Sequence, residues 1–168
     1  KLVVAGILLN QEIKNLGHFG QRVINQPSKT VVIAGGAKVS DKINVLKQFV
    51  HAGVKGIFIG GKMVNTFLIA QKTKTKMIPF KLSDIPRTLL SSSEENNQNL
   101  VNEVSLAREI LDFANDKKVN LIFPDDYKCV DEFKAPTFFI ESEPDFEKVL
   151  QLDLGPKTID NFKNTILS

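Results

Sequence analysis

VVIAGGAKVSDKI, Val31 to Ile43, runs from an unbroken apolar segment through two adjacent glycines into an amphipathic stretch that carries Lys38 and Lys42. Val39, Ile43, Leu46 and Val50 recur at i, i+4, i+7 and i+11, the spacing of one buried helix face, so the order is strand, Gly-Gly turn, helix. A helix that opens here carries Lys38 and Lys42 one turn apart at its positive end. Each opposes the helix dipole at a cost of about 0.3–1 kcal/mol when exposed, and the two repel each other mildly. A bound phosphate reverses the sign of that cost, because lysines and glycine-exposed amides then face an anion. Asp41 is near enough to soften the charge or meet a metal ion. The plainer alternative is a pair of solvated lysines beside glycines that serve only the turn.

The pattern recurs. GIFIGGKMVNTFL, Gly56 to Leu68, is again apolar run, Gly-Gly, basic residue and amphipathic stretch. Consecutive parallel strands bring both turns to one carboxyl edge, where ligands of such sheets bind. Neither turn is a Walker loop or the GxGxxG of dinucleotide-binding domains.

Outward from these two units the chain keeps an α/β rhythm. TVVIA (Thr30 to Ala34), GIFI (Gly56 to Ile59), VNLIF (Val119 to Phe123) and TFFI (Thr137 to Ile140) read as strands buried on both faces of a mostly parallel sheet. Leu100, Val104, Ala107, Leu111 and Ala114 form a helical stripe. Further helices are expected over Leu8 to Phe19 and from Pro156, which suits a first turn. Residues 72–99, Lys-rich and then Ser/Asn-rich, read as a long surface loop, and Glu141 to Glu147 as an acidic connector. The expectation is one Rossmann-like, three-layer α/β unit over residues 1–168.

Composition narrows the functions. With 168 residues, 42% of them hydrophobic, there is material for one core, and a net charge of +3 without basic–aromatic interleaving argues against nucleic acid. No apolar run has the length of a membrane span. One cysteine, Cys129, and isolated His18 and His51 offer no disulfide and no metal-ligand spacing, which fits a reducing, cytoplasmic setting. The chain lacks an initiator Met and begins mid-pattern, so it is expected to be a piece of something larger. Asp125 and Asp126 follow Pro124 at a strand end, where a turn explains them as well as a carboxylate site does. Cys129 reads as a packed residue, and His18 as a dipole partner near a helix end.

IAGGAKVSDKI closely resembles the most distinctive motif of phosphoglycerate kinases, and the order of the other motifs agrees. VAGILLNQEI resembles the family's AGFLMEKEL at its interdomain helix, which would make residues 1–20 the linking helix. IGGKMVNTFL is similar to VGGGIANTFL, LIFPDDYKCVDEF to LLPVDVVVADEF, and LDLGPKTIDNF to LDIGPKTIELF. The resemblance spans nearly the whole chain. It implies the first part of the nucleotide domain of a monomeric, two-domain, hinge-closing glycolytic enzyme. That enzyme moves a phosphoryl group between 1,3-bisphosphoglycerate and MgADP to give 3-phosphoglycerate and MgATP. Its amino-terminal domain holds the phosphoglycerate. Carried onto this sequence, Lys38 approaches the transferring phosphoryl group and Lys42 the α-phosphate. Gly35, Gly36, Ala37, Gly60, Gly61 and Leu152 line the adenine pocket.

The departures are specific. Lys62 replaces the third glycine of GGG, GKSL is missing after the following helix, and Phe146, Glu147 and Lys148 replace IPxG. Also absent are the substrate domain, WNGPMGVFE, the GGGD helix start with the metal-binding Asp, and TGGGA. No metal ligand is therefore expected in this chain, and no turnover from it alone. A catalytically inactive binding module that kept the fold is the competing expectation.

Overall fold

A computed structural model describes residues 6–72, 94–131, 134–140 and 150–167. Helix α1 (Ile7–Asn25) runs past the expected Phe19, because the amphipathic pattern continues to buried Val23 and stops only before Pro27, which disfavours helical geometry at Gln26. His18 consequently sits well inside the helix, and the basic residue of the last turn is Arg22.

After a short 3-10 turn, Pro27–Lys29, strand β1 (Val31–Gly35) leads to α2 (Ile43–Ala52), which Gly53 closes in the left-handed conformation at φ 73°. Strand β2 (Gly56–Gly60) lies parallel to β1, α3 (Met63–Lys72) follows, and α4 (Glu94–Lys117) leads into β3 (Asn120–Ile122), parallel to β2 on its other side. The sheet order is β1-β2-β3. Alternation along β2 divides the core. Ile57 and Ile59 join Leu46, Val50, Phe67, Val104 and Ala107 on the face covered by α2, α3 and α4. Phe58, fully buried, points the other way and meets Phe162 of α5 (Pro156–Leu167) with ring centroids 4.3 Å apart. Ile33, its register partner on β1, is 69% exposed, so α5 covers the centre of that face and leaves β1 open.

The expected α/β class, a parallel sheet flanked by helices, is what the structure has. Three expectations fail. β1 is not buried on both faces, since Ile33 faces solvent. TFFI does not extend the parallel sheet: it lies in β5 (Lys134–Ile140), which pairs antiparallel with β4 (Tyr127–Asp131) in a second sheet completed by β6 (Leu150–Leu154), order β5-β4-β6. Only residues 132–133 separate β4 from β5, and a parallel pair needs a crossover of roughly a dozen residues or more. The 72–99 loop is also shorter than expected, since Lys72 ends α3 and 94–99 form the first turns of α4. Residues 73–93, and the 141–147 connector, lie outside the described residues.

Candidate functional site

Parallel pairing of β1 and β2 sets Gly35 opposite Gly60, so both Gly-Gly turns leave the sheet at one carboxyl edge. They touch through backbone. Gly36 O accepts from Met63 N at 2.9 Å, which ties the first turn to the start of α3. Gly61 takes φ 67°, and a Cβ there would stand 2.9 Å from both N and O of Gly36. Packing therefore demands glycine at Gly61. It makes no such demand at Gly35, Gly36 or Gly60, where an added Cβ would find ordinary contacts of 3.6–3.9 Å.

The lysines are arranged differently from the expectation. Helix α2 begins at Ile43, so Lys42 is its N-cap and Lys38 stands outside it, in the loop that leaves Gly36. Val39, fully buried, imitates the next turn of the helical stripe without being helical, and Lys42 N bonds Val39 O at 2.9 Å to close a tight turn. Lys42 reaches back over the glycines: its Cε would lie 3.6 Å from a Cβ on Gly36, with Met63 Sδ 3.9 Å from the same point. Ala37, Lys38, Lys42 and Lys62 are exposed, and among the described residues no carboxylate pairs with any of the three lysines.

Two of the amides expected to await a ligand are occupied. Glu103 of α4 accepts from Val39 N at 2.6 Å and Ser40 N at 3.0 Å through one carboxylate oxygen, Oε2. The loop consequently offers an anion the Lys38 and Lys42 side chains, and not those two N–H groups. Glu103 was not singled out from sequence. A signal existed, since it falls at i+3 from Leu100 and i−4 from Ala107, a charge within the apolar stripe. A solvent-exposed ion pair, Lys47 Nζ to Glu109 Oε1 at 2.6 Å, links α2 itself to α4.

The remaining candidates fall elsewhere. Leu152 lies on β6 at the register break, between Gln151, paired with Cys129, and Asp153, paired with Lys128. Asp41 is exposed in the turn before α2, and no group of three His, Cys, Asp or Glu side chains gathers as a metal site among the described residues. Asp126 is 2% exposed and is committed to the start of α5. Its carboxylate accepts from Thr158 N at 2.7 Å, Thr158 Oγ1 at 2.6 Å and Lys157 N at 3.1 Å. Burial pushes this carboxyl up, but the Thr158 hydroxyl, the two amides and the nearby Lys157 charge outweigh it and hold it below the ordinary Asp value. Asp126 is thus a helix cap supplied from a distant strand end. Cys129 is buried, and burial pushes its thiol up, away from a reactive thiolate.

The family model for phosphoglycerate kinase matches residues 1–168. Among curated relatives, phosphoglycerate kinase of Chlorobium phaeobacteroides is 34% identical across 98% of this chain, and the cytosolic phosphoglycerate kinase of Trypanosoma congolense 36% identical across 96%. The structure of phosphoglycerate kinase from Coxiella burnetii superposes with a TM-score of 0.65 at 26% identity over 95% of this chain. This chain spans 36%, 34% and 36% of the lengths of those three proteins. No described helix is long and apolar enough to cross a membrane. Ordered motifs, paired glycine turns and a match along the whole sequence lead to one conclusion: the chain belongs to the phosphoglycerate kinase family.

Proposed function

We propose that this chain supplies the part of a phosphoglycerate kinase that grips the nucleotide, in a monomeric cytoplasmic enzyme. That enzyme transfers a phosphoryl group between 1,3-bisphosphoglycerate and MgADP to give 3-phosphoglycerate and MgATP in glycolysis. The observation that carries this is the meeting at one sheet edge of two glycine turns, which touch each other through backbone, and of Lys38 and Lys42, neither of which pairs with a carboxylate among the described residues. Three of those glycines answer no packing demand, which suits a surface that a base and a diphosphate must approach closely.

Magnitudes favour an anion there. A unit charge about 4 Å from an ammonium gains roughly 4 kcal/mol at an effective dielectric near 20, which solvent and salt screening at an exposed lysine cut to roughly 1 kcal/mol per pair. That offsets the few tenths to about 1 kcal/mol by which Lys42, at the N-cap, opposes the dipole of α2. In this assignment Lys42 holds the α-phosphate, while Lys38 meets the transferring group, whose equatorial oxygens carry the charge of a loose transition state. Gly35, Gly36, Ala37, Gly60, Gly61 and Leu152 take the adenine side. Magnesium neutralises phosphate charge when it accompanies the nucleotide, and no ligand for it is assigned in this chain. The phosphoglycerate is held by a domain outside residues 1–168.

A second possibility, a nucleotide-family fold retained as a binding module without turnover, is favoured by Lys62, an exposed cation directly after Gly61 where a smaller residue would leave the base more room. Steady-state kinetics of the full-length enzyme with MgATP and 3-phosphoglycerate decides between them. Phosphoryl transfer whose kcat falls with Lys38→Ala supports the kinase, and a folded protein without transfer supports the module. Residues 1–168 alone are expected to give no phosphoglycerate-dependent ATP.

A further inference from the structure

We propose that Glu103 is a positioning residue, which from α4 sets the conformation of the Lys38–Lys42 loop and through it the placement of both ammonium groups; this rests on the nucleotide assignment above. Helix α2 has no acidic residue in its first turn, and its N-cap is a lysine that forms no side-chain cap. A helix start of that kind is left with unsatisfied amides and an uncompensated positive pole. Glu103 brings a carboxylate to the turn just before that start, from 64 positions away, and binds the amides of Val39 and Ser40 rather than those of the helix itself.

The geometry fits loop control better than general packing. The carboxylate seizes consecutive amides, Val39 and Ser40, at 2.6 and 3.0 Å, and those residues stand between the two lysines. Charge-assisted bonds of this kind are short and roughly twice as strong as neutral ones. Buried Val39 fixes the same point from the other side, and Lys42 N closes onto Val39 O. The loop is thereby clamped at its middle while both flanking lysines remain exposed. Buried Leu46 and Val50 of α2 share one core with Val104 and Ala107 of α4, which keeps the two helices packed beside each other. The carboxylate also sets a negative charge at the helix start, which lets two cations stay there without a bound anion.

The test is calorimetric titration of the full-length chain with MgADP, each variant first confirmed as folded by its thermal melt. Glu103→Ala is expected to weaken binding about tenfold, as the loss of two bonds to a charged acceptor predicts, and Glu103→Gln, which keeps an acceptor oxygen without the charge, to weaken it only a few-fold. In a Lys42→Ala background the loss from Glu103→Ala shrinks to about threefold or less, because residues acting through one another are not additive. A merely structural role would lower the melting temperature yet leave the two affinity losses independent, and that result overturns the proposal. So does unchanged affinity in Glu103→Ala, when Lys42→Ala alone weakens binding. Where Glu103→Ala does not fold, Glu103→Gln decides: wild-type affinity in that variant overturns the proposal. MgADP binding indifferent to Lys42→Ala overturns the nucleotide assignment itself, and the role of Glu103 with it.

Discussion

Gly61 lies so close against Gly36 that a single added carbon would stand 2.9 Å from that residue's nitrogen and oxygen. The φ of 67° at Gly61 adds the strain of a left-handed residue, roughly 1–2 kcal/mol for a non-glycine. Gly61→Ala is therefore expected to lower stability by about 2–3 kcal/mol and to part the two turns. Gly60→Ala, whose Cβ would meet Ala34 O at 3.9 Å, should cost less than about 1 kcal/mol. Urea denaturation of both variants checks the contrast, and equal losses would refute it.

Asp126 predicts a pH dependence of definite sign. Its folded carboxyl is held below its ordinary value of 3.8, so the stabilisation is complete above that pH and is lost as pH falls through the lower, folded value. Thr158→Val removes the hydroxyl that donates to Asp126 and accepts from the amides of Asp125 and Asp126. That variant should lose about 1–3 kcal/mol at neutral pH and show a flatter acid limb in a pH series of denaturation midpoints. An unchanged acid limb would mean that the Asp126 carboxylate draws nothing from the Thr158 hydroxyl. Gly155 belongs to the same structure, since a side chain there would collide with the Asp126 carboxylate.

Phe162 is the contact through which α5 covers the reverse face of the sheet. Phe162→Ala should cost about 3–4 kcal/mol, because it opens a cavity over Phe58, which is fully buried. Chemical denaturation gives the number. A loss under 1 kcal/mol would show that α5 is not needed to cover β2.

Lys47–Glu109 is the opposite case. Despite a separation of 2.6 Å, the two side chains are 35% and 54% exposed, so solvent screens the pair. A double-mutant cycle should return a coupling of about 0–1 kcal/mol, halved or less in high salt. A larger, salt-insensitive coupling would mean that the α2–α4 contact is drier than its exposure indicates.

Legibility followed the range of the forces involved. Units β1-turn-α2 and β2-turn-α3 were readable because their apolar runs and glycines are contiguous, and parallel pairing then followed from the repeated order. The start of α2 was misjudged because Val39 keeps the helical spacing of its stripe while sitting in a turn. β4 and β6 were missed because the short YKCVD and LQLDL segments, with charges among the apolar residues, carry a weak strand signal. The two-residue link between β4 and β5 is what makes that pair antiparallel, while β6 joins β4 from a segment further along the chain. Asp126 could be named but not assigned, and Glu103 carried no assignment at all, since the amides each one binds lie on a distant segment. The lysines could be grouped with the glycines from sequence. What holds their loop could not.

Whether the two glycine turns and Lys42 form a nucleotide site is decided by calorimetric titration of the folded chain with MgADP, beside Lys42→Ala and Lys62→Gly. Saturable binding is expected, weakened about tenfold by Lys42→Ala and left intact or improved by Lys62→Gly. A folded chain that binds no MgADP, or binds it equally well without Lys42, would contradict it.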